Sequence, residues 1–235
     1  MRLDNYLVKN LSIASRTKAQ AIIKEGLVSI DAKVIKKSSY QVTKSDEVVV
    51  QEHKEFVSRS AFKLEAFLDE LGLSVDAMIA LDIGASTGGF TQVLLQRGAR
   101  EVSAVDVGRE QLHLSLLNDK RVLSYESCDI REFKSDKIFD IVVSDVAFIS
   151  LLNIIDDIDR LASKKIILLF KPQFEVGREA KRDSHGVVLD KKAILEAMEH
   201  FEDASRKKGW SLILKSTSKL MGKEGNLEYC YYYEK

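Results

Sequence analysis

A glycine-rich segment in the first half of the chain is the clearest candidate for chemistry. Residues Asp82 to Phe90 (Asp-Ile-Gly-Ala-Ser-Thr-Gly-Gly-Phe) follow a buried-strand pattern and lead into a helical pattern. Glycines at such a turn let a ligand approach the backbone closely and permit torsions that a side chain would forbid. The spacing departs from the dinucleotide-binding pattern, and a tight structural turn is the alternative interpretation. The evidence that this turn binds a ligand must therefore come from other residues.

Three aspartates that follow successive strands indicate which ligand this turn would hold. Asp82 precedes the glycines, where it could meet a ligand ammonium directly or through water. Asp106 ends the second strand, a position that suits ribose hydroxyls. Asp129 follows the third strand and could accept from an adenine amino group, although an exposed loop aspartate is an alternative. Asp82 and Asp106 favour S-adenosylmethionine as the cofactor, and the predicted contacts are Asp82, Gly84, Ala85, Ser86, Gly88, Gly89, Phe90, Asp106, Asp129 and Asp145.

Alternating strands and helices from residue 78 onward would position these side chains. We expect strands at 78–83, 102–106, 122–125, 138–144 and 166–170, helices at 88–97, 110–118, 151–162 and 191–208, and two C-terminal strands. Ahead of them, a helix at 58–73 carries Arg59 and Lys63 four residues apart. This order is typical of an α/β fold with a Rossmann-like parallel sheet. Ligands bind beyond the carboxyl ends of such strands, so five loops should converge: 84–90, 106–109, 128–131, 145–150 and 171–178.

The first fifty residues predict a small basic α+β module. Ser15 is expected to cap the second of two helices and Gly26 to end it, with Arg16, Gln20 and Lys24 on one free face. Strands at 27–30 and 48–50 should flank a basic loop. These fifty residues carry nine basic and five acidic side chains, a net charge of +4, within a chain that has 36 of each. Such cations suit phosphate binding, although a solvated surface with a chance excess is the alternative.

Composition limits the remaining possibilities. The 235 residues are 45% hydrophobic and 31% charged, which is typical of a packed globular protein. No apolar run approaches the length of a membrane span, and no signal-peptide pattern is present, so we expect a cytoplasmic protein without a membrane partner. The two cysteines are too few for a disulfide framework, and the four histidines lack ligand spacing. We therefore expect no metal.

The N-terminal pattern resembles the S-four-type RNA-binding domain of ribosomal and RNA-modifying proteins. The resemblance rests on Arg2-Leu3-Asp4, Ser15-Arg16, Ala19, Ile22 to Gly26, Val28, Lys37-Ser38 and Asp46. It implies an RNA-binding domain at 1–50, followed by a polar linker at 51–57. Candidate RNA contacts in this domain are Arg2, Arg16, Lys18, Lys24, Lys33, Lys36 and Lys37. Farther along, Arg59, Arg178, Lys181 and Arg182 are further candidates.

Residues 58–235 resemble the FtsJ-like RNA ribose methyltransferases, and with the N-terminal domain the chain resembles the TlyA family of haemolysin-named rRNA methyltransferases. The resemblance rests on five segments: 58–64, 82–90, 144–150, 171–175 and 225–228. It implies a class I methyltransferase fold that uses S-adenosylmethionine. The family's catalytic Lys, Asp, Lys and Glu correspond to Lys63, Asp145, Lys171 and Glu228.

The resemblance implies 2′-O-methylation of cytidine in ribosomal RNA, and the absence of long terminal extensions favours the large subunit. On this hypothesis Lys171 is the base, Lys63 fixes the ribose or a phosphate, and Asp145 and Glu228 orient the two lysines. The roles of the lysines could be exchanged, and a purely structural ion-pair network is the alternative for all four. Pro172, the only proline, should hold Lys171 in extended torsions. A membrane-active haemolysin and a non-catalytic RNA-binding protein are the competing functions, and the sequence does not predict the oligomeric state.

Overall fold

The computed structural model describes residues 1–43, 45–50 and 56–235. Contacts divide the chain into two compact units, Met1–Glu55 and Phe56–Lys235. Each unit has a hydrophobic core of its own. The linker predicted at 51–57 falls mainly on 51–55, which lie outside the described residues.

The first unit combines two helices with a three-stranded antiparallel sheet. Its elements are α1 (Leu3–Asn10), α2 (Arg16–Glu25), β1 (Val28–Ile30), β2 (Lys33–Val34) and β3 (Val48–Val50), with strand order β2-β1-β3. As predicted, the Ser15 side chain caps α2 by accepting from the Lys18 backbone N–H at 3.2 Å, and Gly26 ends it with a φ of 82°. The prediction of a basic loop was wrong at Lys33, because Lys33 belongs to β2 and pairs with Ile30.

The Asp4 carboxylate of α1 accepts hydrogen bonds from side chains on the face of α2 that was predicted to be free. Asp4 in α1 is fully buried and accepts from the side chains of Arg2, Arg16 and Gln20 at 2.9 to 3.1 Å. The hydrogen bond from Arg2 is the main reason that the pKa of Asp4 lies well below its usual range. Because a buried carboxylate requires such donors, Arg16 and Gln20 turn toward Asp4, whereas Lys24 is exposed. All three side chains of the predicted face are exposed, and two of them, Arg16 and Gln20, are also engaged by Asp4.

A seven-stranded sheet forms the centre of the second unit. Its strands are β4 (Ile79–Ile83), β5 (Glu101–Val105), β6 (Val122–Tyr125), β7 (Phe139–Ser144), β8 (Ala162–Phe170), β9 (Ser211–Thr217) and β10 (Tyr229–Glu234). The strand order is β6-β5-β4-β7-β8-β10-β9. The first five strands in this order run parallel, and β10 is antiparallel to both β8 and β9. The predicted α/β class with a Rossmann-like sheet is confirmed.

Helices cover both faces of this sheet. One face packs against α3 (Ser60–Leu71), α4 (Gly89–Gln96) and α5 (Leu114–Leu117). The other face packs against α6 (Ile155–Leu161) and α8 (Lys191–Lys207), while the short α7 (Pro172–Glu175) follows β8. Within the described parts of the chain, none of the helices has the length and apolarity needed to cross a membrane.

Two predicted helices are shorter in the structure than expected. At 110–118 only α5 is helical: Glu110 has a φ of 53°, outside the helical region, and the Glu126 carboxylate accepts from the N–H groups of Glu110 and Gln111 at 2.8 and 3.2 Å. At 151–162, the Ser150 hydroxyl caps a 3₁₀ turn, Leu151–Asn153, before α6 begins. The four-residue α7 was not predicted, since its length gives no helical period.

Candidate active site

Lys171 and Asp145 form a buried ion pair at the carboxyl edge of the parallel strands. Asp145 directly follows β7 and Lys171 directly follows β8, and these two strands are hydrogen-bonded neighbours. Lys171 Nζ lies 2.5 Å from Asp145 Oδ1, and the side chains are 10% and 13% exposed. Lys171 has φ −116° and ψ 102°, the extended torsions expected from Pro172. Adjacent parallel strands thus bring this lysine and this carboxylate to one point.

Lys63 and Glu228 form a second buried pair near the first. Lys63 Nζ donates to Glu228 Oε2 at 2.6 Å, across 165 residues of sequence. Lys63 lies in α3, and Glu228 directly precedes β10. Because β10 is antiparallel to β8, its first residue, Tyr229, pairs with Phe170, the last residue of β8. The antiparallel strand β10 therefore starts at the edge of the sheet where the parallel strands end. All four predicted catalytic side chains lie at this edge.

A cavity of about 540 Å³ opens beside the two pairs. Three of the four predicted catalytic residues line it, while Glu228 lies behind Lys63. The other lining residues are Ser58, Arg59, Ser60, Gly84, Ala85, Ser86, Thr87, Phe90, Ala147, Leu220, Met221 and Lys223. Arg59 and Lys223 have no ion-pair partner among the described residues. The cavity thus has internally paired charges at its base and two cations with unpaired charge on its wall.

The start of α3 is held at this cavity by close packing against Gly89, the first residue of α4. A Cβ at Gly89 would collide with the hydroxyls of Ser58 and Ser60 and lie 2.9 Å from the Ala61 backbone nitrogen. The absence of a side chain at this position therefore lets α4 approach the segment that carries Arg59 and Lys63. Gly89 was predicted to contact the cofactor, and the structure gives it this packing role.

Gly89→Ala is expected to lower the free energy of unfolding by about 1–3 kcal/mol, the usual cost of overpacking a tight contact. The added methyl must displace Ser58 and Ser60, so the activity of the site should fall as well. Urea unfolding and an activity assay would measure both effects. Gly177→Ala is the matched control, because a Cβ at Gly177 would meet no heavy atom within 4 Å. Equal stability of the two variants would contradict the packing argument.

A second cavity of about 360 Å³ adjoins the first and shares Gly84, Ser86, Asp145 and Ala147 with it. Asp106 lines this cavity and accepts from the backbone N–H groups of Ser86 and Gly108 at 2.8 and 2.6 Å. Its apolar wall includes Val107, Ile130, Phe148 and Ile149.

The glycine turn packs closely against Val146, which also lines the second cavity. Gly84 has a φ of 79°, and a Cβ there would lie 3.0 to 3.2 Å from the side chain and backbone of Val146. Apolar walls suit an adenine ring, and carboxylates suit ribose hydroxyls and an ammonium group. The residues present therefore fit S-adenosylmethionine.

Two of the predicted cofactor residues have other partners in the structure. Asp82 is fully buried, accepts from the Thr91 hydroxyl at 2.6 Å, and lines neither cavity. Burial raises the pKa of Asp82 to about 7. Asp129 lines the second cavity, but its carboxylate forms a two-pronged ion pair with Arg131 at 2.6 and 2.9 Å. Any adenine contact of Asp129 would be shared with Arg131.

Several site residues were not found from the sequence. Ser58, Ser60, Leu220, Met221 and Lys223 line the first cavity, and Gln111 and Cys128 line the second. Ser58 and Ser60 flank Arg59 in a segment that carries the family resemblance, which was an available signal. The segment 220–223 carried no such signal, because its place is set by the distant pairing of β9 with β10.

Of the cations predicted beyond β8, Arg178 and Lys181 are exposed. Arg182 donates to the backbone carbonyls of Gln173 and Gly177 at 3.5 and 3.4 Å, so part of its guanidinium is already engaged.

The strand order, the cofactor-sized cavity and the paired lysines define a class I methyltransferase. The FtsJ-like methyltransferase family model matches residues 56–235, and the S4 domain model matches residues 1–48. A Campylobacter jejuni protein named 23S rRNA (cytidine-2′-O)-methyltransferase TlyA is 44% identical, over 100% of both chains. A Mycobacterium tuberculosis protein named 16S/23S rRNA (cytidine-2′-O)-methyltransferase TlyA is 38% identical, over 97% of this chain and 87% of the relative. The chain belongs to the TlyA family of FtsJ-like methyltransferases.

Solved structures agree with this assignment. A Streptococcus thermophilus protein described as a candidate hemolysin superposes with a TM-score of 0.73 at 33% identity, over 100% of this chain and 88% of that one. A Listeria monocytogenes protein described as a candidate S-adenosylmethionine-dependent methyltransferase has a TM-score of 0.57 at 15% identity, over 75% of this chain and 99% of that one. The second likeness shows the fold alone.

Proposed function

We propose that this protein transfers a methyl group from S-adenosylmethionine to the 2′-hydroxyl of a cytidine in ribosomal RNA, in the large subunit. The observation that carries the proposal is the pair of buried lysine–carboxylate contacts, Lys171–Asp145 and Lys63–Glu228, beside a cavity next to the cofactor cavity. Burying four charges is costly, and such arrangements cluster at functional sites. The names of the two relatives above support cytidine in ribosomal RNA as the target.

The chain's own side chains would prepare the hydroxyl for in-line attack. Bound S-adenosylmethionine supplies an activated methyl group on a sulfonium. Asp145 holds Lys171 at the cavity wall, where the Lys171 amine, once its own proton has passed to water, would accept the proton of the 2′-hydroxyl as that oxygen takes the methyl group. Lys63, held by Glu228, binds the ribose or its phosphate and keeps the oxygen in line. Much of the acceleration would come from this positioning.

Two features of the cavity mouth suit a nucleotide that leaves its stack. Phe148 is 92% exposed, has a φ of 65°, and its ring lies 5.2 Å from that of Phe174. An exposed aromatic ring held beside the cofactor cavity is suited to stacking on a base. Arg59 and Lys223 on the wall of the first cavity are suited to the phosphates of the same strand.

The N-terminal S4 domain would supply affinity for RNA rather than chemistry. Lys24, Lys33, Lys36 and Lys37 are exposed on it, while Arg2 and Arg16 also pair with Asp4. Phosphate contacts of this kind contribute affinity and position with little sequence selection. A ribosomal substrate would place the protein in the cytoplasm.

The proposal is tested by tritiated methyl transfer to large and small ribosomal subunits that lack the modification, assayed separately. We expect label in the large subunit, at a ribose, and none in the small one. Label in the small subunit alone would overturn the large-subunit assignment. Failure of both subunits to accept label, with cofactor binding measured by calorimetry, would overturn ribosomal RNA as the substrate.

A further inference from the structure

The two oxygens of the Glu228 carboxylate are held by different groups. Oε2 accepts from Lys63 at 2.6 Å, and Oε1 accepts from the side-chain amide of Gln173 at 3.2 Å. Glu228 is only 2% exposed. Next to Oε1 lies Gly222, where a Cβ would come within 2.6 Å of this oxygen. Within the described chain, the Gln173 amide is therefore the hydrogen-bond donor for an oxygen that is shielded from solvent.

Gln173 is itself fixed in place. It lies in α7, two residues after Lys171, and its backbone carbonyl accepts from Arg182 at 3.5 Å. It does not line either cavity, so its side chain cannot touch a substrate there directly. Through the chain it is linked to Lys171, and through its amide it is linked to Glu228. Gln173 thus connects the two lysine–carboxylate pairs.

The physical need for such a residue follows from burial. A buried ion pair is stable only when the remaining lone pairs of the carboxylate are also satisfied. Without the Gln173 amide, Oε1 would lose its donor, and the carboxylate would rotate so that both oxygens compete for Lys63 or for solvent. The Lys63 ammonium would then move with it.

We propose that Gln173 is a positioning residue of the methyl-transfer site: its amide locks Glu228, which in turn fixes the direction in which Lys63 points into the cavity. This inference rests on the proposed function. A misplacement of about 1 Å at a reacting group can lower a rate by about 10²-fold, so loss of this contact should lower kcat. The affinity for the cofactor should stay close to that of the wild type, because Gln173 does not line its cavity, and the affinity for RNA should change little, because Lys63 is only one of several cations that would bind RNA.

The first test replaces Gln173 by Met, which is similar in length but cannot donate a hydrogen bond. We expect Gln173→Met to lower kcat by about tenfold, with the KM for RNA and the Kd for S-adenosylmethionine unchanged. Gln96→Met is the matched control, because Gln96 is exposed at the last residue of α4. It should show wild-type kinetics. A wild-type kcat in Gln173→Met would overturn the proposal.

A double-mutant cycle separates positioning from general support of the fold. In a Glu228→Ala background Gln173 has no carboxylate to hold, so adding Gln173→Met should change kcat by less than about twofold. An undiminished loss of about tenfold in that background would show that Gln173 acts by another route, and would overturn the proposal.

The same double-mutant cycle, with the melting temperature as the readout, tests the contact between Gln173 and Glu228 without any substrate. We expect Gln173→Met to lower the melting temperature of the wild type more than that of Glu228→Ala, because only the wild type has the contact. Equal shifts would overturn the contact. If the wild type methylates neither subunit, the proposed function fails, while the melting cycle still decides whether Gln173 fixes Glu228.

Discussion

Lys171→Ala is expected to lower methyl transfer by about 10³-fold while cofactor binding persists. The amine of Lys171 lies on the wall of the first cavity, 2.5 Å from Asp145, and is the proposed acceptor of the hydroxyl proton. Without it the 2′-hydroxyl must lose its proton to water, which is neither positioned nor basic enough. Single-turnover transfer from tritiated S-adenosylmethionine would measure the loss, and calorimetry would measure cofactor affinity.

Lys164→Ala is the matched control for that experiment. Lys164 belongs to the same strand, β8, but is exposed near its opposite end. Its removal should leave transfer unchanged. Because Lys171→Ala leaves the nearly buried Asp145 without its partner, the variant's melting temperature must be compared with that of Lys171→Ala combined with Asp145→Asn. Folded Lys171→Ala that still turns over at the wild-type rate would remove Lys171 from the mechanism.

Asp82→Asn is expected to make the protein progressively more stable than the wild type as the pH rises. Burial raises the pKa of Asp82 to about 7, and the charges of Asp145 and Asp106 contribute in the same direction. The unfolded chain releases this proton near pH 4, so between about pH 4 and 7 the folded state binds more protons than the unfolded state. Wild-type stability therefore decreases across this interval, by up to about 4 kcal/mol, whereas asparagine does not titrate.

Urea unfolding of both proteins between about pH 5 and 8 would measure this difference. The informative quantity is its change with pH, because the asparagine amide also alters the contact with Thr91 at every pH. A difference that stays constant over the whole range would show that Asp82 is ionised in the folded protein throughout. Cofactor affinity, measured on the same samples, would test the predicted role of Asp82 toward the ligand ammonium.

Local signals in the sequence predicted those parts of the fold that depend on neighbours in the chain. As expected, α2 is capped by Ser15 and ends at Gly26, because a cap needs only residues within one turn. The helix expected at 110–118 was wrong in its first half, where Glu110 has a φ of 53° and its N–H donates to Glu126, which follows a separate strand. Such a capture depends on tertiary proximity, which hydrophobic periodicity does not encode.

In the candidate site, too, local signals predicted some residues and missed those that are placed by tertiary contacts. The loop positions of Asp106 and Asp145 followed from the strand pattern, because residues after parallel strands share one edge. The pairing of Lys63 with Glu228 could be expected only from the resemblance, since it joins a helix to the antiparallel β10 across 165 residues. Gln173 lies in the segment 171–175 that carries the resemblance, but its hydrogen bond to Glu228 depends on tertiary proximity and could not be predicted. Lys223 had no distinguishing local pattern, and its place depends on the segment before β10.

The position of β10 has a consequence for the order in which the protein is assembled. In sequence it follows β9, but in the sheet it lies between β8 and β9. During synthesis β9 is made before β10, the strand that pairs with it in the sheet. The sheet is therefore completed by insertion of β10 between β8 and β9 rather than by addition of a strand at its edge. Glu228 reaches Lys63 in that same step. A nascent chain can therefore hold a nearly finished sheet and an open cofactor cavity while it still lacks one of its two ion pairs, and competence for methyl transfer comes with the final closure.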